Sequence, residues 1–548
     1  MCDSLRPQRS LWETSMLLPP EKLAALMKTW VRAFREEALP LIDGELFRPL
    51  YCADNGRPSK PVDLVVGVLI LKDMFDLTDE EALYRLDFDL GWQVALGVES
   101  EEAHCCQKTL HNFRARLMAS DGGLLLFTDT AAKVIAKLGV STGRQRMDST
   151  HFLSNIAHLT RLGLFCETLR VFLEEVSRAY PERYAGISAA LRSRYIKEDG
   201  EAAGYADARS SEAVRRLSVC GRDVWRLLEH FRGDTAVASL AGTQLLQRLF
   251  VEQCEVAPEA APACAGEADM DESFAPVVVK PPKQVGSDSM QTPHDPIVTY
   301  NGHKGQGYEA QIAETCGNAD KPEVLTYADP GPSCQSDKHR AVPTVTDLVQ
   351  RGLAPGTMFC DTTYGATGNV IACAALGTDI QSPVGGRETA APDPATLTAG
   401  DFDIDLTHSR APRCPAGHEA IEHTRDETLQ TVEAVFDDSR CAQCPQRETC
   451  PTTPRDDGHR VLKTPLHQAV LERRRRYQAT GEFQRNYGIR SGIEATNSEL
   501  KRGHGLGKLR VRGSPAVTLA VYLKCTACNI KRMVGYYTRQ RKMAPVMG

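Results

Sequence analysis

The stretch Arg146-Met-Asp-Ser-Thr-His151 contains Asp148, the acid on which the fold prediction depends. Residues 144–157 have the pattern of a strand that leads into this acid. A second acid, Asp361, follows the short apolar run 357–360 and precedes Thr-Thr-Tyr-Gly, the pattern of a strand that ends in a tight turn. Helical segments surround both strands, so the sequence predicts an α/β fold with two acids at strand ends.

A third acid, Glu494, lies in the stretch 487–501, Tyr-Gly-Ile-Arg-Ser-Gly-Ile-Glu-Ala-Thr-Asn-Ser-Glu-Leu-Lys. The sequence predicts a single helix over residues 486–501. Offsets of three, four and seven residues place a tyrosine, two cations and the acid near one face of that helix. These residues are Tyr487, Arg490, Glu494 and Lys501. A lone acid is usually an ordinary cap or surface residue, but this combination fits neither a core nor a solvated face.

Two strand-end aspartates and one helical glutamate are the ligands that two-metal phosphoryl transfer requires. Hard divalent ions such as Mg²⁺ or Mn²⁺ take oxygen ligands and keep positions open for substrate phosphate. One ion polarises the attacking water or 3′-hydroxyl, and the other stabilises the leaving oxygen. We therefore expect Asp148, Asp361 and Glu494 to bind Mg²⁺ or Mn²⁺ and to be catalytic.

Positive charge is concentrated in the last part of the chain. Residues 461–548 contain 18 Lys and Arg against 4 Asp and Glu, although the whole chain has a formal net charge of −6. A basic block of this size is the electrostatic pattern of a phosphate-binding surface. A solvated basic face would have the same composition, so the motif around Glu494 is what favours nucleic acid as the partner.

The chain divides into seven predicted segments. They are a helical N-terminal DNA-binding domain (1–137), a first catalytic strand region (138–157), a helical insert (158–251), an acidic, Pro- and Ala-rich linker (252–296), an α/β core (297–385), a cysteine-rich, loop-rich insert (386–460) and a basic helical part of the core (461–548). Core strands are predicted at 308–314, 323–328, 357–360 and 380–384, with a helix at 337–351.

The N-terminal segment is predicted to consist of short helices. One begins at the Thr78-Asp-Glu-Glu signal, where a capping hydroxyl precedes first-turn carboxylates. The helix Thr109–Met118 carries His111, Arg114 and Arg116. Short helices ending in a basic one are typical of a helix-turn-helix-like DNA-binding unit.

The cysteine-rich insert contains Cys441-x2-Cys444-x5-Cys450 after Cys414-Pro-Ala-Gly-His418. A CxxC pair can bind zinc from a tight turn, and Cys414 and Cys450 would complete four ligands, with His418 as the alternate fourth. Free thiols in a loop are the alternative interpretation. A zinc ion held by four protein ligands would be structural, because it has no open position for substrate.

The overall composition predicts a cytosolic protein without membrane segments. Apolar residues make up 42% and charged residues 25% of the chain, the usual proportions of a globular protein. The longest strongly apolar run, 64–71, is much shorter than the ~20 residues of a membrane helix, and the first residues lack the apolar core of a secretory signal. In the cytosol the 18 cysteines should be thiols or metal ligands. Several are expected to be buried apolar residues, namely Cys105, Cys106, Cys525 and Cys528.

The run Tyr-x2-Arg-x3-Glu-x6-Lys at 487–501 resembles the YREK signature of bacterial insertion-sequence transposases with a DDE catalytic triad. Similar stretches surround it: Asp-Ser-Thr-His at 148–151, Gly-His-Lys-Gly-Gln-Gly-Tyr at 302–308, Asp-Thr-Thr-Tyr-Gly at 361–365 and Gly-His-Gly-Leu-Gly-Lys-Leu-Arg at 503–510. The resemblance spans nearly the whole chain. It implies an RNase H-like fold with Asp148 and Asp361 on neighbouring strands of a mixed sheet and Glu494 on a following helix. Long inserts separate the three acids, so this strand order is inferred by likeness.

The resemblance also implies a reaction on DNA, in which the ends of an insertion sequence are cut and the freed 3′-hydroxyls are joined to target DNA. Arg490 and Lys501 would contact phosphates near the cut, Tyr487 would help to position it, and the N-terminal domain would read the terminal inverted repeats. Further DNA contacts are expected from Lys304, Arg502, Lys508 and Arg510. His151 and His303 are expected in the same cleft as structural or phosphate-contacting residues, because metal-activated water needs no histidine.

The expected partners are DNA, as inverted repeats and as target, and a second copy of the chain, because two ends must be held together. The expected location is the bacterial cytoplasm, in association with the nucleoid. Two alternatives remain open. The chain could be a metal-dependent DNA nuclease or resolvase of the same RNase H-like fold without strand transfer, or a DNA-binding derivative of a transposase that has lost catalysis. The presence of Asp148, Asp361 and Glu494 together argues against the second alternative.

Overall fold

The computed structural model of the chain describes residues 18–51, 60–256, 277–385, 396–407 and 409–543. The helices are α1 (Pro20–Met27), α2 (Trp30–Ala33), α3 (Val62–Met74), α4 (Asp79–Phe88), α5 (Leu90–Leu96), α6 (Gln107–Met118), α7 (Gly122–Leu138), α8 (Arg161–Ala179), α9 (Pro181–Ala185), α10 (Ala189–Tyr195), α11 (Ser210–His230), α12 (Thr235–Ala238), α13 (Ala241–Gln253), α14 (Ala341–Gln350), α15 (Thr367–Ala375), α16 (Asp438–Cys441), α17 (Leu466–Gln478), α18 (Gly481–Tyr487), α19 (Gly492–Gly503) and α20 (Ser514–Met543). The strands are β1 (Arg144–Phe152), β2 (Cys254–Val256), β3 (Val277–Val279), β4 (Thr299–Asn301), β5 (Gly305–Thr315), β6 (Leu325–Pro332), β7 (Thr357–Phe359), β8 (Asp379–Gln381), β9 (Glu422–Asp426), β10 (Thr431–Phe436), β11 (Thr453–Pro454) and β12 (Arg460–Pro465).

A mixed sheet forms the centre of the molecule. Its strands follow the order β6-β5-β1-β7-β8, and β4 pairs with the beginning of β5. β1 is antiparallel to β5, which is antiparallel to β6, whereas β7 is parallel to both β1 and β8. The strands predicted for the core correspond to β5, β6, β7 and β8 with shifted boundaries, and the α/β class is confirmed.

The long helix α20 connects the N-terminal helices to this sheet. It packs against α3 and α7 and also against β6. Some of its buried side chains share an apolar core with α3, and others share a second one with β6. α3 is apolar around most of its circumference, as a helix buried in such a core must be. The predicted cap of α4 is confirmed, because the Thr78 hydroxyl accepts from the Glu81 N–H and the Glu81 carboxylate accepts from the Thr78 N–H.

The N-terminal helices are docked on the C-terminal part of the chain by buried polar contacts. Lys524 of α20 donates to the Asp73 carboxylate at 3.1 Å, and the two side chains are 6% and 5% exposed. The His504 Nδ1–H donates to the Asp73 carbonyl at 2.9 Å. Arg510 donates to the Asp76 carboxylate at 2.7 Å. The segment between α19 and α20 therefore holds the turn between α3 and α4.

Helices α8 to α13 form the predicted helical insert and have an apolar cluster of their own. Both described ends of the segment predicted as a linker, 252–296, are folded against this unit. β2 pairs with β3 because the valines of Val277–Val279 are good strand formers. Arg248 also donates to the Pro296 carbonyl at 2.7 Å. Residues 257–276 lie outside the described residues.

The cysteine-rich insert, predicted to be loop-rich, contains a four-stranded antiparallel sheet of order β11-β12-β10-β9. Apolar side chains of β10, including Val432 and Phe436, join the main core beside Phe402. Most of the other described residues of this insert are in turns and loops. Its strands were not predicted; β9 is polar throughout, so its strand conformation depends on pairing with β10 rather than on an apolar alternation.

Two expectations from composition can be compared with the structure. Cys105, Cys525 and Cys528 are buried as expected, whereas Cys106 is exposed because it precedes the first turn of α6 at the surface. Within the described parts of the chain, no helix combines the length and the apolar character needed to cross a bilayer.

Candidate functional site

Asp148 and Asp361 lie where β7 separates from β1. Pairing between these parallel strands ends at Arg146 and Phe359. Beyond β7 the chain turns, with the Tyr364 N–H donating to the Asp361 carbonyl at 3.2 Å, instead of continuing along β1. At Asp148, β1 is therefore not paired with β7. Asp148 is on β1, and Asp361 follows the end of β7, the neighbouring strand.

The segment predicted as a single helix over 486–501 is helical, but a 3-10 turn interrupts it. α18 ends at Tyr487, a 3-10 turn covers residues 488–491, and α19 begins at Gly492. Gly492 lies against the Arg146 guanidinium, where any side chain would collide, and the Arg146 Nη1 donates to the Ile489 carbonyl at 2.8 Å. This contact from β1 shapes the turn, and Tyr487 consequently does not share a helix with Glu494.

Arg490, in this turn, connects two of the three acids. Its Nη2 donates to the Asp148 carboxylate at 3.1 Å and its Nη1 to the Glu494 carboxylate at 2.9 Å. The three carboxylates are not gathered within 4.8 Å of one another. The arginine occupies the space between Asp148 and Glu494 and neutralises part of their charge. Tyr487 lies beside Asp361, because its hydroxyl donates to the carbonyl of the preceding residue, Cys360, at 3.1 Å.

Burial dominates the electrostatics of Asp148. Desolvation raises the pKa of Asp148 to about 6; the Arg490 guanidinium opposes this shift, and the carboxylates of Asp337 and Asp361 add to it. Burial alone would lower the pKa of Arg490, but the surrounding acids, Asp148 first among them, raise it overall. Acids that disfavour each other's ionised forms in a half-buried site are stabilised by a cation.

A buried ion-pair network holds α19 against the sheet. Glu314 of β5 is fully buried and accepts from the Arg146 Nε at 2.7 Å and from the Arg532 Nη1 at 2.9 Å. The Thr496 hydroxyl, two residues beyond Glu494 on α19, donates to the same carboxylate at 2.8 Å. The network joins β1, β5, α19 and α20, so it fixes the helix that carries the third acid.

Two of the predicted DNA-binding lysines lie near each other at this site. Lys304, in the turn between β4 and β5, donates to the Glu309 carboxylate and to the Ser149 hydroxyl, the latter at 3.4 Å. Burial lowers the pKa of Lys501 on α19, and the neighbouring charge of Lys304 lowers it further. Two cations in such proximity favour an anion beside them.

The other residues predicted to line the cleft or to contact DNA are His151, His303, Arg502, Lys508 and Arg510. His151 packs against Gly307, and burial lowers the pKa of the imidazole. His303 is exposed in the turn between β4 and β5, and Arg502 and Lys508 are exposed near the end of β1. Arg510 was expected to contact DNA, but its guanidinium is engaged with the Asp76 carboxylate and backbone.

Four polar residues that the sequence analysis did not single out line the same end of the sheet. They are Glu309, Gln311, Asp337 and Tyr364. Asp337 accepts a hydrogen bond from Ser149 at 3.3 Å, and burial followed by the Glu309 charge raises the pKa of Asp337. Sequence signals existed for two of them, since Asp337 begins the helix predicted at 337–351 and Tyr364 lies in the stretch after Asp361. Nothing in the sequence indicated their contacts.

The four cysteines predicted to bind zinc line one cavity of about 30 Å³, together with His418. Two tight turns bring them there: the Gly417 N–H donates to the Cys414 carbonyl at 2.8 Å, and the Cys444 N–H donates to the Cys441 carbonyl at 3.2 Å. Burial raises the pKa of Cys441, and the neighbouring thiols of Cys414 and Cys450 raise it further. Thiols that disfavour one another's ionisation are a donor set that a soft metal ion would stabilise.

Among the described residues, Glu499, His504 and Cys528 are the group whose potential ligand atoms lie within 4.8 Å of one another, a closeness that the ligand atoms lining the cysteine cavity do not reach. Arg532 donates to the Glu499 carboxylate at 2.8 Å, and the charge of Lys531 lies close enough to help burial lower the pKa of His504. These cations oppose a divalent ion at this position. We therefore assign the group to packing between α19 and α20.

Two parts of the chain match protein-family models. Residues 413–534 match a transposase DDE domain, and residues 17–116 match a transposase domain (DUF772). The first match contains the four cysteines as well as Glu494. No curated protein and no solved structure matches the chain.

Both matched models describe transposase domains, which indicates a transposase function for the chain. Together they support an insertion-sequence DDE transposase, as the resemblance of the sequence implied, whereas the YREK signature is tested by neither match.

Proposed function

We propose that this transposase cuts and joins DNA by metal-dependent phosphoryl transfer, with Asp148, Asp361 and Glu494 as its catalytic residues. The observation that carries the proposal is the bridge from Arg490 to Asp148 and Glu494, beside the turn that holds Asp361. The Glu494 side chain is 66% exposed, so it can rotate toward the aspartates without movement of α19.

We further assign the central sheet to the RNase H-like class. Support comes from the mixed sheet, in which antiparallel β5 and parallel β7 flank β1. The order of the acids along the chain also supports it, with Asp148 on β1, Asp361 after β7 and Glu494 on a later helix. This is the arrangement that the family resemblance implied.

The site fits Mg²⁺ or Mn²⁺. Its donors are carboxylate oxygens, which hard ions prefer, and the half-buried Asp148 has other acids nearby whose charges a cation would offset. Asp148, Asp361 and Glu494 would hold the ions, which would lower the pKa of the attacking water or 3′-hydroxyl and stabilise the leaving oxygen.

The cations around the acids would bind the DNA backbone. Arg490, Lys304 and Lys501 would hold phosphates beside the bond that is cut, and Arg502 and Lys508 would extend the contact. Backbone binding of this kind weakens steeply as salt is raised. The Tyr487 hydroxyl is bonded to a backbone carbonyl beside Asp361, so we propose that it fixes the end of β7 and only indirectly positions the DNA.

We assign recognition of the terminal inverted repeats to α6. Lys108 and His111 are exposed in its first half, where a helix in the major groove contacts base edges. Arg114, in contrast, is held by Asp79 at 2.8 Å and is less available to DNA. Because two ends must be brought together, we propose at least a homodimer in the complex with DNA.

We propose a structural zinc ion at Cys414, Cys441, Cys444 and Cys450. Their convergence on one small cavity supports this, with His418 at the same cavity as the alternate ligand. The ion would stabilise the sheet of β9 to β12, which leads directly into α17 and the helices that follow.

The test of the proposed chemistry is cleavage of element-end DNA by the Glu494→Gln variant. Cleavage dependent on Mg²⁺ should disappear, because the carboxylate that binds the metal has become a neutral amide. End binding should stay largely intact, because the size of the side chain is unchanged. Glu482→Gln, an exposed glutamate of α18 in the same basic region, is the matched control and should cleave as wild type does. Cleavage by Glu494→Gln at the wild-type rate would refute the assignment.

The same reaction separates the alternatives. A transposase should join the cut ends to a supercoiled target plasmid, which gel electrophoresis detects as a relaxed or linear product. Cleavage without joining would favour a nuclease or resolvase. End binding with no cleavage under any divalent metal would favour a derivative that has lost catalysis.

A further inference from the structure

Gln311 and Tyr364 are buried polar side chains between the two aspartates of the site. Gln311 is 2% exposed and Tyr364 is fully buried. The Gln311 amide nitrogen donates to the backbone carbonyl of Asp148 at 2.9 Å, and the Gln311 amide oxygen accepts from the Tyr364 hydroxyl at 2.8 Å. A single glutamine therefore connects β1 at Asp148 to the turn that follows Asp361.

A second link runs in parallel. Asp337 accepts a hydrogen bond at 3.3 Å from the hydroxyl of Ser149, the residue that follows Asp148 in the sequence. The Asn369 side-chain amide holds the other side of this region, donating to the Lys338 carbonyl at 2.7 Å and to the Tyr364 carbonyl at 2.9 Å. Since β7 does not pair with β1 beyond Arg146, no backbone ladder performs this task.

We propose that Gln311 and Tyr364 are positioning residues that fix the separation of Asp148 and Asp361, and so set the affinity of the site for a divalent ion. This inference rests on the proposed function, because it assumes that these two aspartates hold the ion. Neither side chain touches the reacting atoms. Both act through the backbone segments that carry the two acids.

The hydroxyl of Tyr364 is the sensitive point of the link. Replacing Tyr364 by Phe keeps the buried ring and removes one donor, so the Gln311 oxygen loses its partner in a site closed to water. The amide is then free to rotate away from the Asp148 carbonyl. Metal sites tolerate only small displacements of their ligands, and loss of a supporting hydrogen bond commonly weakens metal affinity about 10- to 100-fold.

The test compares two Tyr→Phe variants of the full-length chain. Tyr308 is also buried in the central sheet, and its hydroxyl makes one hydrogen bond, to Asp295 at 2.6 Å. Both variants lose a buried hydroxyl, but only Tyr364→Phe interrupts the link between the aspartates. Mn²⁺ affinity of the DNA-free protein, measured by isothermal titration calorimetry, should fall about 10- to 100-fold in Tyr364→Phe and should remain at the wild-type value in Tyr308→Phe.

Thermal unfolding of both variants separates a loss of positioning from a general loss of stability. Equal Mn²⁺ affinity in Tyr364→Phe and wild type, with both folded, would overturn the inference, as would an equal loss in Tyr308→Phe. Gln311→Met is the second variant in case Tyr364→Phe does not fold. It retains a side chain of similar length without the amide, and should show the same loss of Mn²⁺ affinity.

Asp148→Asn distinguishes failure of this inference from failure of the proposed function. If Asp148→Asn binds Mn²⁺ as tightly as wild type, the proposed catalytic site itself is wrong. If Asp148→Asn abolishes binding and Tyr364→Phe leaves it unchanged, only the positioning role is wrong.

Discussion

The ion-pair network around Glu314 allows a prediction with a defined magnitude. Glu314→Gln removes the negative charge between Arg146 and Arg532 but keeps an oxygen that can accept from Thr496. Glu314 is fully buried, and the two arginine side chains are 11% and 15% exposed. Removing one partner of a buried ion pair costs about 3–5 kcal/mol. Because the hydrogen bond from Thr496 can remain, we expect the lower end of that range, about 3 kcal/mol.

Such a change should be visible as local opening of α19. A loss of about 3 kcal/mol increases the open fraction on the order of 100-fold. Hydrogen–deuterium exchange followed by mass spectrometry should therefore show amides of α19 exchanging about 100-fold faster in Glu314→Gln, while peptides of the helical insert exchange as in wild type. Glu45→Gln is the control, because Glu45 and Arg48 form an exposed pair, with side chains 55% and 73% exposed, worth less than about 1 kcal/mol. Exchange of α19 within about threefold of wild type would refute the role given to this network.

Three further outcomes are expected. Arg490→Gln should bind Mn²⁺ more tightly in the absence of DNA, on the order of tenfold, because the positive charge between Asp148 and Glu494 is removed. The variant should nevertheless cleave element ends more slowly. Equal or weaker Mn²⁺ binding would contradict the bridging role of this arginine. Purified protein should contain about one zinc per chain by elemental analysis, and Cys441→Ser should lose it while Cys334→Ser, outside the cluster, keeps it; folded, zinc-free wild type would dismiss the zinc proposal. Burial lowers the pKa of His504 to about 4, below the ordinary value of about 6.5 for an unfolded chain, so protonation favours unfolding. Urea denaturation should show full stability above about pH 6.5 and a progressive loss toward pH 4. His504→Asn should reduce that loss.

The parts of the fold that could be predicted from sequence are those encoded by local patterns. β5, β6 and β7 were predicted because apolar runs or alternations end at turn residues, and the cap at Thr78 because its partner is three residues away. The elements that were missed or misplaced depend on distant contacts. β9 is a polar strand stabilised by pairing, and the break at 488–491 is shaped by Arg146, a residue more than 300 positions earlier in the sequence.

The candidate site could likewise be predicted only where its residues are close together in the sequence. The spacing of Tyr487, Arg490, Glu494 and Lys501 indicated a group of residues near one face of a helix, and Arg490 and Glu494 pair as that spacing predicts. The 3-10 turn at 488–491 was not predicted. Tyr364 lies in the stretch after Asp361, but nothing in the sequence indicated that its hydroxyl and Gln311 are buried against each other. Only their contacts on either side of the two aspartates distinguish them.

The contacts of His504 and Arg510 with the turn between α3 and α4 would set the distance between the DNA-recognition helix and the cleavage site. Residues 503–510 directly follow α19, the helix that carries Glu494, and they contact the N-terminal helices through His504 and Arg510. The position of these helices relative to Glu494 is therefore fixed by direct contacts rather than by a flexible linker. In a DNA duplex bound by α6, the bond that is cut would therefore lie at a fixed number of base pairs from the α6 binding site. Inserting half a helical turn of DNA between the repeat and the end should abolish cutting, however well that DNA is bound.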